Sequence, residues 1–113
     1  MGLVRGFRTV HTSLTTIPSG GTTTPAIDVR GHAMGGFATP AALTGTSFTF
    51  TTAFTEGGTY RTLKDASGTA IPVTVAASGS YVFPPEVFAF GFVKIVSNSA
   101  EGADRVLEVG LST

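Results

Sequence analysis

The chain has 113 residues, which fits one domain, because single hydrophobic cores commonly organise roughly 100 to 150 residues. Charged residues make up only 12% of the sequence, and seven basic side chains balance seven acidic ones, so the basic surface required for nucleic-acid binding is missing. The absence of cysteine excludes disulfides and thiolate chemistry, and 19 threonines, 9 serines and 15 glycines must supply most of an uncharged polar exterior.

The first 24 residues predict an extended arm that precedes the folded domain. The stretch TTIPSGGTTTP has little to bury, so we expect the arm to become ordered against a neighbouring molecule. No continuous apolar run follows Arg5 and Arg8, as a signal peptide would require, and no stretch approaches the ~20 apolar residues of a membrane-spanning helix. We therefore expect an arm over residues 1–24, a domain over residues 25–113, and synthesis in the cytoplasm.

The middle of the chain alternates with period two, as strands do. PAIDVRG and HAMGGFAT predict two strands of one sheet system. In SFTFTTAF the alternation places Phe48, Phe50 and Phe54 on one face and hydroxyl side chains on the other, which is typical of a strand with one buried side. EGGTYRTLKDASGTAIPVTVAA predicts a hairpin whose turn runs from Asp65 to Gly68.

The last third of the chain predicts three further strands. SGSYVF is a short strand, and PPEVFAFG contains the only expected helical turn, with prolines tolerated at its start. FVKIVS and RVLEVGLS follow, the second with either Val106 or the set Leu107, Val109 and Leu111 turned inward. With turns every eight to twelve residues, the pattern predicts an all-β, single-domain antiparallel β-sandwich. It is jelly-roll-like, with about eight strands and an extended N-terminal arm.

No constellation of side chains predicts catalysis. His11 and His32 lie on separate segments without HxH or HExxH spacing, so we expect no metal site. The carboxylates are scattered, whereas glycosidase chemistry needs two that converge in a cleft. No serine stands in a GxSxG motif. We therefore expect a protein that is not an enzyme, with no catalytic residues and no cofactor.

Two charge pairs leave two interpretations open. Asp28 with Arg30, and Asp104 with Arg105, are compatible with a binding site for a charged partner. They also suit strand ends, where a carboxylate and a guanidinium satisfy each other when they are desolvated together. We expect the second, structural role.

A carbohydrate-binding module is the specific alternative that a β-sandwich allows. Such modules usually present flat aromatic platforms, but tryptophan is absent and the two tyrosines are Tyr60 and Tyr81. The nine phenylalanines fall mostly at alternating strand positions, which indicates core packing. We therefore expect a glycan partner only under the alternative function, a carbohydrate-binding module.

Residues 26 to 111 carry a recognisable order of motifs. AIDVRG, PAALTGTSFTF, GTYRTLKDASG, FVKIVS and ADR follow one another along the chain. This order resembles small virion structural proteins of tailed bacteriophages, the capsid decoration or cement proteins in particular. The resemblance implies a β-sandwich on the particle surface and brings no catalytic or binding residues with it.

The function implied by this resemblance is a capsid decoration protein that binds and stabilises the major capsid shell. The alternatives are a carbohydrate-binding or host-attachment module of a tail fibre, or a tail or neck component. The implied partners are the major capsid protein and further copies of the chain, as a symmetric oligomer such as a trimer. Neither nucleic acid nor membrane is expected.

We expect protein contacts from the arm and from the apolar loops around residues 37–43 and 83–92. A near-zero net charge favours association, because self-repulsion is what normally keeps molecules apart. The alternative for the two loops is that they only cap the ends of the sandwich. The residues expected at contacts are Leu3, Val4, Phe7, Val10, Leu14, Ile17, Phe37, Pro40, Leu43, Pro84, Phe88 and Phe90.

Overall fold

Residues 10–113, the part of the chain that the computed structural model describes, form two antiparallel sheets with nine strands in all. The strands are β1 Val10–Ile17, β2 Ile27–Asp28, β3 Met34–Ala38, β4 Ser47–Ala53, β5 Arg61–Thr62, β6 Val73–Thr74, β7 Ser80–Val82, β8 Phe92–Ser97 and β9 Arg105–Ser112. A 3-10 helical turn over Pro85–Ala89 lies between β7 and β8, where a helical turn is predicted. The prediction of an all-β, single-domain antiparallel sandwich is confirmed.

The strand order places β1 at an edge. One sheet has the order β1-β9-β3-β7, and the other has the order β2-β8-β4-β5, with β6 also paired to β4. We call them the four-stranded and the five-stranded sheet. The longest ladder joins β1 to β9 over the full length of both strands, from Val10 opposite Ser112 to Ile17 opposite Arg105. The predicted strands PAIDVRG and HAMGGFAT thus fall in different sheets.

The core between the sheets is filled by the inward positions of the central strands. Phe48 and Phe50 of β4 are fully buried, as the alternation predicts. The rings of Phe37, Phe50 and Phe83 pack with centroids 5.2 to 6.3 Å apart. In β9 the inward residues are those of the second predicted register, with Leu107 fully buried.

The segment from residue 10 to residue 24 belongs to the sandwich, which corrects that part of the arm predicted over residues 1–24, while residues 1–9 lie outside the described residues. β1 is hydrogen-bonded to β9, and its last residue, Ile17, is fully buried in the core. The amide of Thr24 donates to the carbonyl of Ile95, and the Thr24 hydroxyl accepts the amide of Ile95. A threonine-rich segment can do this because β-branched side chains favour extended backbone and the ladder itself satisfies its polar groups.

Two details of the predicted strands differ from the structure. Phe54 follows the end of β4 and is 74% exposed, because the chain leaves the sheet at Ala53 and the alternation stops there. The predicted turn after β5 is present, with the Asp65 carboxylate accepting the amides of Ser67 and Thr69. Its second arm, however, pairs mainly with β4 through β6.

Candidate protein-interaction surface

The outward side of the four-stranded sheet carries a neutral, partly apolar surface. Cross-strand register places outward side chains from all four strands in rows. We call this surface the outer face. It consists of Thr12, Leu14 and Thr16 from β1, Val106, Glu108 and Gly110 from β9, Met34, Gly36 and Ala38 from β3, and Ser80 and Val82 from β7.

Four of the five large hydrophobic side chains that are exposed in the described residues lie on the outer face. Leu14 is 69% exposed and Val82 is 73% exposed, while Met34 and Val106 are about half exposed. The fifth is Phe54, which lies elsewhere. A concentration of exposed apolar side chains on one face is typical of a surface that another molecule covers.

A trough without side chains runs across the middle of the outer face. Gly36 lies directly opposite Gly110, with Thr12 on one side of the pair and Val82 on the other. The resulting groove has a volume of about 480 Å³ and is lined in part by Leu14, Ser80, Tyr81 and Glu108. Its lining suits an apolar or neutral group of a partner.

The two glycines of the trough have different structural roles. A Cβ atom on Gly36 would lie 2.6 Å from the backbone carbonyl oxygen of Tyr81, so this position has no room for a side chain. A Cβ atom on Gly110 would meet nothing within 4 Å. Gly110 is therefore open to substitution, and any side chain placed there would fill the trough.

The predicted contact residues separate into three groups. Leu3, Val4 and Phe7 lie outside the described residues, as does the side chain of Val10. Leu14 lies on the outer face. The others lie in or against the core. Ile17, Phe37 and Pro84 are buried, while Pro40, Leu43, Phe88 and Phe90 are half-buried.

This placement corrects the prediction for three of those residues. Ile17, Phe37 and Pro84 present no surface to a partner, because the strand alternation and the chain entering the 3-10 turn direct them inward. Leu43 and Phe88 are partly buried and pack against the core. Much of the two loops is therefore buried or half-buried, and most of the exposed large hydrophobic side chains lie on the outer face.

A smaller aromatic patch lies beyond the end of β4. The exposed ring of Phe54 packs on Phe90, with centroids 5.2 Å apart. Nearby cations lie over other rings, with the Arg30 guanidinium 4.9 Å from the Phe92 centroid and the Lys94 ammonium 4.2 Å from the Tyr60 centroid. Both cations therefore pack on rings of the chain itself. The large exposed hydrophobic group of this patch is Phe54.

The first charge pair lies at the surface and not in the interior. Arg30 donates from Nε and from one terminal nitrogen to the two carboxylate oxygens of Asp28, at 3.0 and 2.8 Å. The hydrogen bond from the Arg30 side chain lowers the pKa of Asp28 to about 2. Both side chains are more than half exposed, so the predicted burial at a strand end is wrong for this pair.

The second charge pair has different partners from those predicted. Arg105 donates through Nε to Glu101 at 3.0 Å, and Asp104 instead accepts the amide of Ser19 at 2.7 Å. Glu101 is only 1% exposed and also accepts the amides of Thr44 and Gly45. We call Glu101 with these donors the Glu101 network.

The Glu101 network keeps a buried carboxylate ionised. Burial raises the pKa of Glu101, but the amide hydrogen bonds, the Arg105 guanidinium and the hydroxyl of Ser97 outweigh it and lower the pKa to about 2. A Cβ atom on Gly45 would collide with the Ser97 hydroxyl, so a glycine is required beside the carboxylate. The network ties the loop before β4 to the loop before β9 and is structural.

The two histidines come close to each other but do not form a metal centre. The rings of His11 and His32 lie 6.1 Å apart. Within residues 10–113, no group of three or more histidine and carboxylate side chains is placed to hold a metal ion. In the same part of the chain, no helix has the length and apolar character needed to cross a membrane.

The fold is shared with a protein of phage origin. A crystal structure of the SPBc2 prophage-derived protein YomS superposes with a TM-score of 0.62, over 99% of this chain and 100% of that one, at 10% sequence identity. No protein-family model matches the chain, and no curated protein matches it in sequence. At this identity the likeness establishes a common fold over the whole length of both chains.

Proposed function

We propose that the chain is a non-enzymatic structural protein of a bacteriophage particle that binds the major capsid shell as a decoration protein. The observation that carries the proposal is the outer face, where exposed Leu14, Met34, Val82 and Val106 share one side of the sheet with the trough at Gly36 and Gly110. Glu108 is the one charged residue among the outward positions of this face.

Two further observations support a phage particle as the setting. The fold is shared end to end with a prophage-derived protein. The order of strand and turn motifs over residues 26 to 111 also resembles phage decoration proteins. Neither bears on the position within a particle, so a head surface is part of the proposal, with neck or tail as the alternatives.

The proposed mechanism is burial of neutral surface at many identical contacts. Each contact removes apolar area from water, at about 25 cal/mol per Å² before association costs are subtracted. A shell offers many equivalent sites, so weak individual contacts that bridge neighbouring capsid subunits add up through multivalency. A face with Glu108 as its one charged residue also limits the desolvation cost of burying unpaired ions.

The test is binding of the purified chain to empty, expanded capsids, with two matched variants. Val82→Glu places a charge on the outer face, whereas Phe54→Glu places the same charge at an equally exposed site away from it. We expect the wild type and Phe54→Glu to cosediment with capsids and to raise their temperature of disruption. Val82→Glu should lose both effects.

Gly110→Val provides a second variant that changes shape and not charge. The new side chain has space beside the backbone and fills the trough, so folding should persist while capsid binding falls. The proposal fails if the wild type neither cosediments with capsids nor protects them from heat. It also fails if Phe54→Glu abolishes binding while Val82→Glu does not.

A second candidate is a carbohydrate-binding or host-attachment module on a tail fibre. The observation that favours it is the pair of hydroxyl side chains, Thr12 and Ser80, that line the trough on the outer face together with Glu108. A glycan array separates the two functions, since saturable sugar binding that Gly110→Val removes supports the module. Capsid binding without sugar binding supports the decoration role.

A further inference from the structure

One sheet edge lacks the protection that the other edges have. Exposed edges are usually short, charged or interrupted by proline, because their free backbone groups can pair with another chain. At the far edge of the four-stranded sheet, β7 has three residues. In the five-stranded sheet the outer strands β2, β5 and β6 have two residues each. Pro25 and Pro72 lie close to β2 and β6 in the chain, and β5 carries Arg61.

β1 has none of these features. It runs for eight residues, VHTSLTTI, without proline, glycine, lysine, arginine or a carboxylate. One side of the strand is paired along its full length with β9. No strand within residues 10–113 pairs with its other side. A long, regular and uncharged edge therefore offers a row of backbone donors and acceptors to a partner.

We propose that two copies of the chain associate by pairing β1 with β1 in antiparallel orientation. A two-fold axis perpendicular to the sheet then joins the two four-stranded sheets into one continuous sheet. Paired residues in an antiparallel ladder point to the same side, so the two outer faces lie on the same side of the assembly. The inference does not depend on the proposed function.

The side chains of β1 select the register of this pairing. Placing Leu14 opposite Leu14 of the second copy covers two side chains that are each 69% exposed. The same register sets Thr12 opposite Thr16 and Ser13 opposite Thr15, and such hydroxyl pairs stabilise antiparallel ladders. Pro18, directly after the strand, marks where the ladder ends.

A second copy is the occupant that the charges favour. β1 has no lysine, arginine or carboxylate side chain, and the chain as a whole has a formal net charge of zero, so two copies approach without net repulsion. The contact is isologous and closes at two subunits. A single strand edge is small beside the roughly 1,200 to 2,000 Å² of a stable interface, so the dimer should depend on concentration.

The test measures the mass of the full-length chain by sedimentation velocity over a concentration series. We expect the wild type to shift from 11.5 kDa towards twice that mass as concentration rises. In Leu14→Glu, the new carboxylates face each other across the axis and lie beside Glu108, which is the residue opposite position 14 in β9. The dissociation constant should rise at least about tenfold.

A charge-reversal experiment makes the register itself testable. An equal mixture of Leu14→Glu and Leu14→Lys should regain the dimer mass, because opposite charges then face each other at the two-fold axis. Val82→Glu is the matched control, since it introduces the same charge on the same face but at the opposite edge of the sheet. It should dimerise like the wild type.

Three results would overturn the inference. They are a wild type that stays monomeric at every concentration, a mass of three subunits, and a dimer that Val82→Glu disrupts as strongly as Leu14→Glu does. Hydrogen exchange gives an independent readout, because amides of residues 10–17 should be more protected in the wild type than in Leu14→Glu. Capsid binding by Val82→Glu and the wild type is measured separately, so either proposal can fail alone.

Discussion

At the residue scale, Glu101 illustrates how a buried charge is held by partners that are distant in sequence. Its carboxylate oxygens accept amide hydrogen bonds from Thr44 at 2.8 Å and Gly45 at 2.9 Å, and a guanidinium hydrogen bond from Arg105. A carboxylate is suited to this position because every neighbour is a donor. An amide of the same shape would turn an N–H group towards those donors.

We predict that Glu101→Gln lowers the free energy of unfolding by about 2 to 4 kcal/mol, because buried donors lose an acceptor and Arg105 loses its counter-charge. Urea denaturation followed by circular dichroism measures the change. Asp28→Asn is the control, since it breaks an ion pair of similar geometry that is exposed on the surface, and it should change stability far less. Equal losses in the two variants would contradict the prediction.

The low pKa of Glu101 also predicts a pH dependence. The carboxyl has an ordinary pKa of 4.5 and a folded pKa of about 2, so the folded state favours the ionised form. Its contribution to stability is therefore complete above pH 4.5 and is lost as the pH falls towards 2. The difference in unfolding free energy between the wild type and Glu101→Gln should shrink over that range. If the difference in unfolding free energy between the two proteins stays constant from pH 7 to pH 2, the predicted pH dependence is wrong.

Whether a residue's role can be predicted depends on how local its contacts are. The turn at Asp65 is readable from DASG because the carboxylate accepts amides only two and four residues away, and Gly68 has a positive φ of 81°. The Glu101 carboxylate instead meets Thr44 and Gly45, 57 and 56 positions away. A contact between residues so far apart leaves no local sequence motif. The sequence alone therefore does not show which donors surround the Glu101 carboxylate.

At the element scale, β1 is a strand of the folded domain that the sequence pattern does not predict. We predict that Ile17→Ala lowers the free energy of unfolding by about 2 to 4 kcal/mol, because Ile17 is fully buried at the end of the ladder. Val82→Ala, at an exposed aliphatic position on the other edge of the sheet, should change it by less than about 0.5 kcal/mol. Chemical denaturation distinguishes a strand that is part of the core from an arm outside it. If residues 10–17 were an arm, Ile17→Ala would leave stability unchanged.

Strands with apolar alternation are predictable, whereas strands held mainly by their partners are not. The patterns SFTFTTAF, SGSYVF, FVKIVS and RVLEVGLS correctly predict β4, β7, β8 and β9. Half of β1 is threonine or serine, spread over both faces, so its inward positions do not stand out from its outward ones. The two-residue strands and the assignment of β2 and β3 to different sheets depend on long-range pairing, which the local sequence does not encode.

The candidate interaction surface also depends on long-range strand pairing, so the local sequence does not predict where it lies. Apolar residues in loops were expected at contacts, but the loop residues Leu43 and Phe88 pack against the core. The outer face instead combines two or three outward residues from each of four strands that are far apart in the chain. Among the predicted contact residues whose side chains the structure describes, Leu14 is the one that lies on it. The signal available in the sequence was the lack of charge, which indicates a protein-facing surface without locating it.

At the scale of the whole molecule, neutrality determines how the proposed assemblies should respond to salt. The chain has seven basic and seven acidic side chains, and the β1 edge has no lysine, arginine or carboxylate. Pairing at this edge relies on backbone hydrogen bonds and on burial of Leu14, neither of which simple salt screens strongly. Sulfate strengthens burial of apolar surface, because it is excluded from protein surfaces.

We therefore predict that the dimerisation constant changes less than about threefold as sodium chloride is raised at pH 7, and that sodium sulfate tightens the dimer. Sedimentation velocity on the wild type at fixed protein concentration measures both effects. The mixed dimer of Leu14→Glu with Leu14→Lys is the internal comparison, because it is held by opposite charges and should weaken in sodium chloride. A wild-type dimer that dissociates in sodium chloride as readily as the mixed one would show that ion pairs hold it, and would place the contact away from β1.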